Sequence, residues 1–178
     1  MSKSIIDSQA RKDILDAYDA GWEEILKRSV VDAVAGSTGL DVTFLKSETN
    51  TQAPLDLEPD SFISGVIGIN AGEIVGNICI MFSKEAIFKI AKTVYDREIV
   101  EVDRSLLDCV GEITNMTYGI FKRGTSDKGF MLKTSLPSVI YGNHSVISLL
   151  SSRHFCAQYK LEDQYLFKVS VTIDLGKD

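Results

Sequence analysis

The middle of the chain carries a carboxylate and a carboxamide three residues apart, at Glu112 and Asn115. In an α-helix, residues at positions i and i+3 lie side by side on one face. A carboxamide both donates and accepts hydrogen bonds, so it can hold a water molecule, but it cannot act as a general base at neutral pH. Chemistry at Asn115 would therefore depend on positioning reacting groups, not on proton transfer.

The segment around this pair has the pattern of an amphipathic helix. Asp103 is a typical N-cap, and Gly124 is a typical helix stop. At roughly 100° per residue, Asn115 lies about 180° from Leu106, and Glu112 lies close to Asn115. The sequence therefore predicts that Glu112 and Asn115 point to solvent. The opposite face is predicted to pack in the core and contains Leu106, Val110, Ile113, Thr117, Ile120 and Phe121.

The neighbours of Asn115 on the predicted outer face favour contact with a partner. Asp108 and Gly119 flank it, and Gly111 and Gly119 keep the helix surface low. Glycine and asparagine are weak helix formers, so an exposed face gains nothing from them unless another molecule approaches closely. Met116 lies at the edge of this face. Its side chain is expected either to contact a partner or to pack at the edge of the core. A Glu and an Asn on a solvated helix face are also common by chance.

The remaining sequence predicts an α+β fold with an antiparallel sheet of about six strands and two or three long helices packed on it. Glycines at 65, 68 and 76 lie within predicted strands and indicate either bulges or close contact with another element. Three helices are predicted. The first is Ser8–Ala35, which Gly36 and Gly39 stop. The second is Lys84–Tyr95, which Ser83 caps, and the third is the segment after Asp103. The predicted strands are Val42–Ser47, Phe62–Asn70, Glu73–Phe82, Phe130–Thr134, Ser138–Tyr141, Val146–Ser151, His154–Leu161 and Gln164–Ile173, with a loop over Glu48–Pro59.

Composition excludes several classes of function. The 178 residues suit one domain with a sizeable core, and the net charge of −6 argues against a nucleic-acid surface and weakly against anionic membranes. No apolar run approaches the roughly 20 residues of a membrane span, and the first residues lack the pattern of a signal peptide. We therefore expect a cytoplasmic protein with no membrane or nucleic-acid partner. Its three scattered cysteines are expected to be buried and reduced: Cys79, Cys109 and Cys156.

The other reactive residues form no recognisable catalytic or metal-binding motif. The two histidines, His144 and His154, have no ligand at helical spacing, so we expect no metal site. A small-molecule enzyme that uses Cys109 or a histidine remains a third hypothesis, without a motif behind it.

Several ordered segments resemble one protein family. Gly111–Gly119, GEITNMTYG, is similar to the signature helix of the CheC/CheX/FliY phosphatases, and of CheX in particular. The hairpin around Gly65–Phe82, the helix after Ser83, the Pro-containing strand Leu136–Gly142 and the closing hairpin resemble the same family. The resemblance covers roughly residues 22–175. Residues 1–21 resemble an added helical amino-terminal extension, which leaves residues 22–178 as a single CheX-like domain.

The resemblance implies a phosphatase that removes the phosphoryl group from the aspartate of a CheY-like response regulator. It implies that Glu112 docks to a lysine of the regulator and that Asn115 orients the attacking water. Asp108, Gly111, Met116 and Gly119 would contact the partner. The chain would need no cofactor of its own, because Mg²⁺ is expected on the regulator. A single E-x-x-N motif is typical of CheX and implies a homodimer, while a non-catalytic receiver-binding or flagellar-switch adaptor on the same fold is the alternative.

Overall fold

The computed structural model describes residues 3–49, 62–72, 74–142 and 153–175. It confirms an α+β fold with three helices and a six-stranded antiparallel sheet in the spatial order β1-β5-β6-β3-β2-β4. None of the helices in these residues is long and apolar enough to cross a lipid bilayer. The elements in chain order are α1 (Lys3–Thr38), β1 (Val42–Thr49), β2 (Ile63–Ala71), β3 (Ile74–Phe82), α2 (Lys84–Tyr95), α3 (Arg104–Ser126), β4 (Ser138–Tyr141), β5 (Arg153–Leu161) and β6 (Tyr165–Leu175).

The hairpin of β2 and β3 forms the part of the sheet on which α3 packs. Its register is continuous from Ile63 opposite Phe82 to Ala71 opposite Ile74, so the strand glycines do not mark bulges there. Two of them allow close contact instead. A side chain at Gly65 would collide with Thr114 of α3, and one at Gly76 would collide with the backbone of Thr172 in β6.

Helix α1 is longer than the sequence predicts, and it packs against α3. It passes Gly21 and Gly36 without interruption and ends before Gly39, whose φ of +70° favours glycine. The predicted boundary near residue 21 lies within this helix and stays a prediction. Trp22 anchors α1 to α3, because its buried ring packs edge-on against Phe121 at 5.2 Å between ring centroids.

Helix α3 also continues past its predicted stop. Gly124 lies inside the helix, which runs to Ser126. A Cβ at Gly124 would lie 2.6 Å from Cγ2 of Ile25 in α1, so this glycine is required by the contact between the two helices. Its position near the end of the apolar pattern made it resemble a C-terminal glycine.

Residues 130–137 differ from the predicted strand at Phe130–Thr134, because they form no strand. Lys133 donates a backbone hydrogen bond to Asn70 at the end of β2, at 2.8 Å, and the segment then follows α3 to β4. The predicted strand Val146–Ser151 lies outside the described residues, as does most of the predicted loop Glu48–Pro59. The other predicted strands are present within a few residues of their expected bounds.

Candidate functional site

The candidate site lies on the outer face of α3, and the helix begins where the sequence predicts. Asp103 caps it, since its side chain accepts a hydrogen bond from the backbone N–H of Leu106 at 2.9 Å. Leu106, Val110 and Ile113 are buried in the core, which fixes the rotation of the helix about its axis.

Glu112 and Asn115 are both exposed on the side of α3 that faces away from the core. Their Cβ atoms are expected to lie about 5–6 Å apart, as for any i, i+3 pair on a helix. No described segment covers either side chain, so both are free to enter a pocket of another molecule. The structure therefore brings the two predicted residues together on one accessible surface.

The surface beside the pair is low and open. A Cβ at Gly119 would meet no atom within 4 Å, and one at Gly111 would meet only Cγ2 of Val139, at 3.9 Å. The fold itself therefore does not require glycine at either position. Asp108 is exposed one turn before Glu112 and forms an ion pair with Arg104 at 3.7 Å.

Met116 faces a different direction from the pair. It is partly buried, and the hydroxyl of Ser37 in α1 donates to its sulfur at 3.3 Å. The structure thus places Met116 on the flank of α3 that contacts the end of α1. Its side chain borders the outer face and does not lie at its centre.

Sequence reasoning missed the residue that seats the helix on the sheet, which is Thr114. Thr114 is fully buried, and its hydroxyl donates to the carbonyl of Val110 at 2.7 Å. The side chain fills the space that the absence of a Cβ on Gly65 leaves open on β2. Since Asn115 follows Thr114 directly, this contact holds the backbone of the candidate site on the sheet. Gly65, a glycine within a predicted strand, was the signal of a close contact in the sequence, but it did not show which element makes that contact.

The structure gives Asp103 a pH-dependent contribution to stability. The hydrogen bond from the Leu106 N–H, assisted by Arg97, lowers the pKa of its carboxyl below the usual value. A lowered folded-state pKa contributes stability that is present above the unfolded pKa, about 3.9, and is lost as the pH falls through the folded pKa. We expect the thermal midpoint to fall with acidification in this range, and to fall less in Asp103→Asn, which keeps a capping side chain without the charge. Thermal unfolding followed by circular dichroism between pH 2.5 and pH 6 measures this difference; equal slopes in the two proteins would contradict it.

The buried thiols confirm the prediction from their scattered positions. Cys79, Cys109 and Cys156 are free and buried. Burial raises the pKa of Cys109 to about 12, so this thiol stays protonated and is a poor nucleophile at neutral pH. This observation argues against an enzyme that uses Cys109.

The histidines add no second site to the described residues. His154 forms a hydrogen bond with Ser170 at 2.9 Å, and burial lowers its pKa. It borders a small, mostly apolar cleft with Trp22 and Phe121, on the core side of α3 and away from Asn115. His144 lies outside the described residues. Within the ranges that the structure describes, no group of three or more His, Cys, Asp or Glu side chains could hold a metal ion.

Comparison with known proteins identifies the family. The model of the family "Chemotaxis phosphatase CheX" matches residues 63–160, more than half of the chain, and includes α3. A search of curated protein sequences gives no match.

Solved structures share the fold at low sequence identity. CheX from Vibrio vulnificus is 18% identical with a TM-score of 0.77, and the match covers 86% of this chain and 99% of that one. A CheC-like superfamily protein from Shewanella sp. PV-4 is 20% identical with a TM-score of 0.79, covering 86% and 97%. CheX in the CheX–CheY–BeF3–Mg²⁺ complex from Borrelia burgdorferi is 18% identical with a TM-score of 0.73, again covering 86% and 97%. The fold, the outward Glu112 and Asn115 on α3, and the family match over residues 63–160 lead to one conclusion: this chain belongs to the CheX chemotaxis phosphatase family.

Proposed function

We propose that this protein dephosphorylates the phospho-aspartate of a CheY-like response regulator, with Asn115 orienting the attacking water and Glu112 pairing with a lysine of the regulator. The observation that carries the proposal is the exposure of both side chains on one face of a helix that is anchored to the sheet. The family match and the regulator in the Borrelia complex support the class of partner.

The proposed reaction needs little chemistry from this chain. The water oxygen attacks phosphorus, the bond between phosphorus and the aspartyl oxygen breaks, and the products are inorganic phosphate and the free aspartate. In-line phosphoryl transfer depends on a positioned nucleophile and on stabilised charge. Asn115 would supply the position through its amide, and the Mg²⁺ and the lysine would belong to the regulator. No cofactor of this chain takes part in the proposal.

Hydrolysis of a phosphorylated receiver tests the proposal directly. A purified CheY-like receiver domain from the same organism is phosphorylated with a small-molecule phosphodonor in the presence of Mg²⁺. Release of phosphate is then followed with and without this protein. We expect the protein to accelerate the release at concentrations well below that of the receiver. Tight binding without acceleration would contradict a phosphatase and favour the adaptor.

Gly119 offers a test of the partner-binding surface. Replacing a helical glycine with alanine stabilises a helix by about 1 kcal/mol, and a Cβ at Gly119 meets no atom of this chain within 4 Å. We therefore expect Gly119→Ala to raise the free energy of unfolding while it weakens receiver binding. Gly21→Ala is the matched control, since a Cβ there also meets nothing within 4 Å, in α1. Urea unfolding measures the stability, and titration with a BeF3-treated receiver measures the binding. Unchanged binding by Gly119→Ala would show that Gly119 is not part of the interface.

We propose further that the protein is a cytosolic homodimer. The edge strand β4 supports an association of copies, because Ile140 and Tyr141 are exposed on it and no charged residue interrupts it. The opposite edge, β1, carries Lys46 and Glu48 and a register shift after Phe44. Light scattering on the purified chain tests the oligomeric state.

A further inference from the structure

The segment that leads from α3 to β4 forms one flank of the candidate site. Nζ of Lys122 lies 3.1 Å from Oγ1 of Thr134, and Val139 approaches Gly111. The segment therefore runs antiparallel to α3, from the level of residue 122 back to the level of residue 111. Eleven helical residues and five extended residues each span about 16 Å, so the two paths match in length. Residues 136 and 137 consequently pass beside the turn that contains Asn115 and Gly119.

Three hydrogen bonds fix this flank to the domain. The hydroxyl of Tyr118 donates to the carbonyl of Lys133 at 2.5 Å, and the Lys133 N–H donates to the carbonyl of Asn70 at 2.8 Å. The third is the contact between Lys122 and Thr134. The flank is therefore held in position beside the helix and does not depend on a partner for its path.

An apolar side chain projects from the fixed flank. Leu136 is 84% exposed, the largest exposure among the large apolar side chains of the described residues. The path of the segment places it at the level of Asn115 and Gly119 along α3, so it extends the exposed surface on that side of the helix. On an isolated molecule this exposure costs free energy, and a partner that covers it would recover that cost.

The charge of the flank also differs from that of the whole chain. Lys133 lies on it, Lys122 of α3 contacts it through Thr134, and Arg123 and Lys128 lie near the same end of α3. Among the described residues, none of these four cations forms an ion pair, although the net charge of the chain is −6. At the other end of the same face, Asp108 and Glu112 are acidic. This separation of charge favours a partner that presents basic groups to Asp108 and Glu112 and acidic groups to the cations at the other end, and so orients the partner along α3.

We infer that the phosphorylated receiver extends from Asn115 across the flank of residues 133–139, with Leu136 inserted into an apolar depression of the receiver. The inference rests on the proposed function, because it names the receiver as the occupant. The four cations favour an acidic surface of the receiver beyond Asn115, towards the end of α3, and the opposite flank of the helix is occupied where Met116 packs against Ser37.

The experiment compares Leu136→Ser with Val100→Ser and Leu136→Met. Val100 is 81% exposed in the loop before α3, so it matches Leu136 in exposure but lies away from the flank. We expect Leu136→Ser to weaken binding of a BeF3-treated receiver about tenfold and to raise KM for the phosphorylated receiver with kcat kept. Val100→Ser and Leu136→Met are expected to bind like the unmodified protein.

The outcomes separate this inference from the proposed function. If Leu136→Ser binds normally while Asn115→Ala loses activity, the phosphatase stands and the footprint across the flank is wrong. If Leu136→Ser converts a dimer to a monomer in light scattering and leaves receiver affinity unchanged, the flank is an interface between copies, and the inference is again overturned. If the unmodified protein does not accelerate phosphate release, the proposed function itself fails.

Discussion

We expect Asn115→Ala to slow dephosphorylation of the receiver about 100-fold at saturating receiver, with affinity for the receiver retained. The variant removes the only amide at the centre of the outer face of α3, and misplacement of a reacting group by about 1 Å costs a factor of this size. The side chain is exposed, so its removal leaves the core intact. Single-turnover phosphate release measures the rate, and titration with a BeF3-treated receiver measures the affinity.

Asn77→Ala is the matched control for this prediction. Asn77 is an exposed amide on β3, away from α3, and its loss is not expected to change the rate. Asn115→Gln adds a second comparison, because it keeps the amide and moves it by one methylene. We expect Asn115→Gln to fall between the unmodified protein and Asn115→Ala. A rate for Asn115→Ala equal to that of the unmodified protein would exclude Asn115 from catalysis.

The second large effect is expected for Glu112→Ala, on binding. If the Glu112 carboxylate pairs with a lysine within the interface, its removal leaves that lysine without a partner. Truncation of one member of a buried charge pair costs about 2 kcal/mol or more, which corresponds to about 30-fold in affinity. We expect the dissociation constant of the BeF3-treated receiver to rise by this factor, while kcat at saturation changes little.

Glu24→Ala controls for the loss of one negative charge, because Glu24 is an exposed carboxylate on α1 with a weak contact to Lys27 at 3.9 Å. Its affinity for the receiver is expected to match that of the unmodified protein. The pattern in which Glu112→Ala loses kcat and Asn115→Ala loses affinity would reverse the two proposed roles.

The sequence by itself determined the local features of the site. The periodic placement of Leu106, Val110 and Ile113 fixed which face of α3 is buried, and so it placed Glu112 and Asn115 on the opposite face. The caps Asp103 and Ser83 fixed the starts of two helices through hydrogen bonds to residues three positions away. Such features depend on neighbours along the chain, so the pattern of residue types is sufficient to predict them.

Only the tertiary structure decided the features that join distant segments. Gly124 continues a helix because Ile25 packs against it, and Gly65 admits Thr114, although more than 45 residues separate each pair in the chain. The course of residues 133–139 along α3, with Leu136 exposed at the level of Asn115, depends on hydrogen bonds to Tyr118, Lys122 and Asn70. No local periodicity encodes these contacts, because each depends on the shape of a surface that another part of the chain supplies.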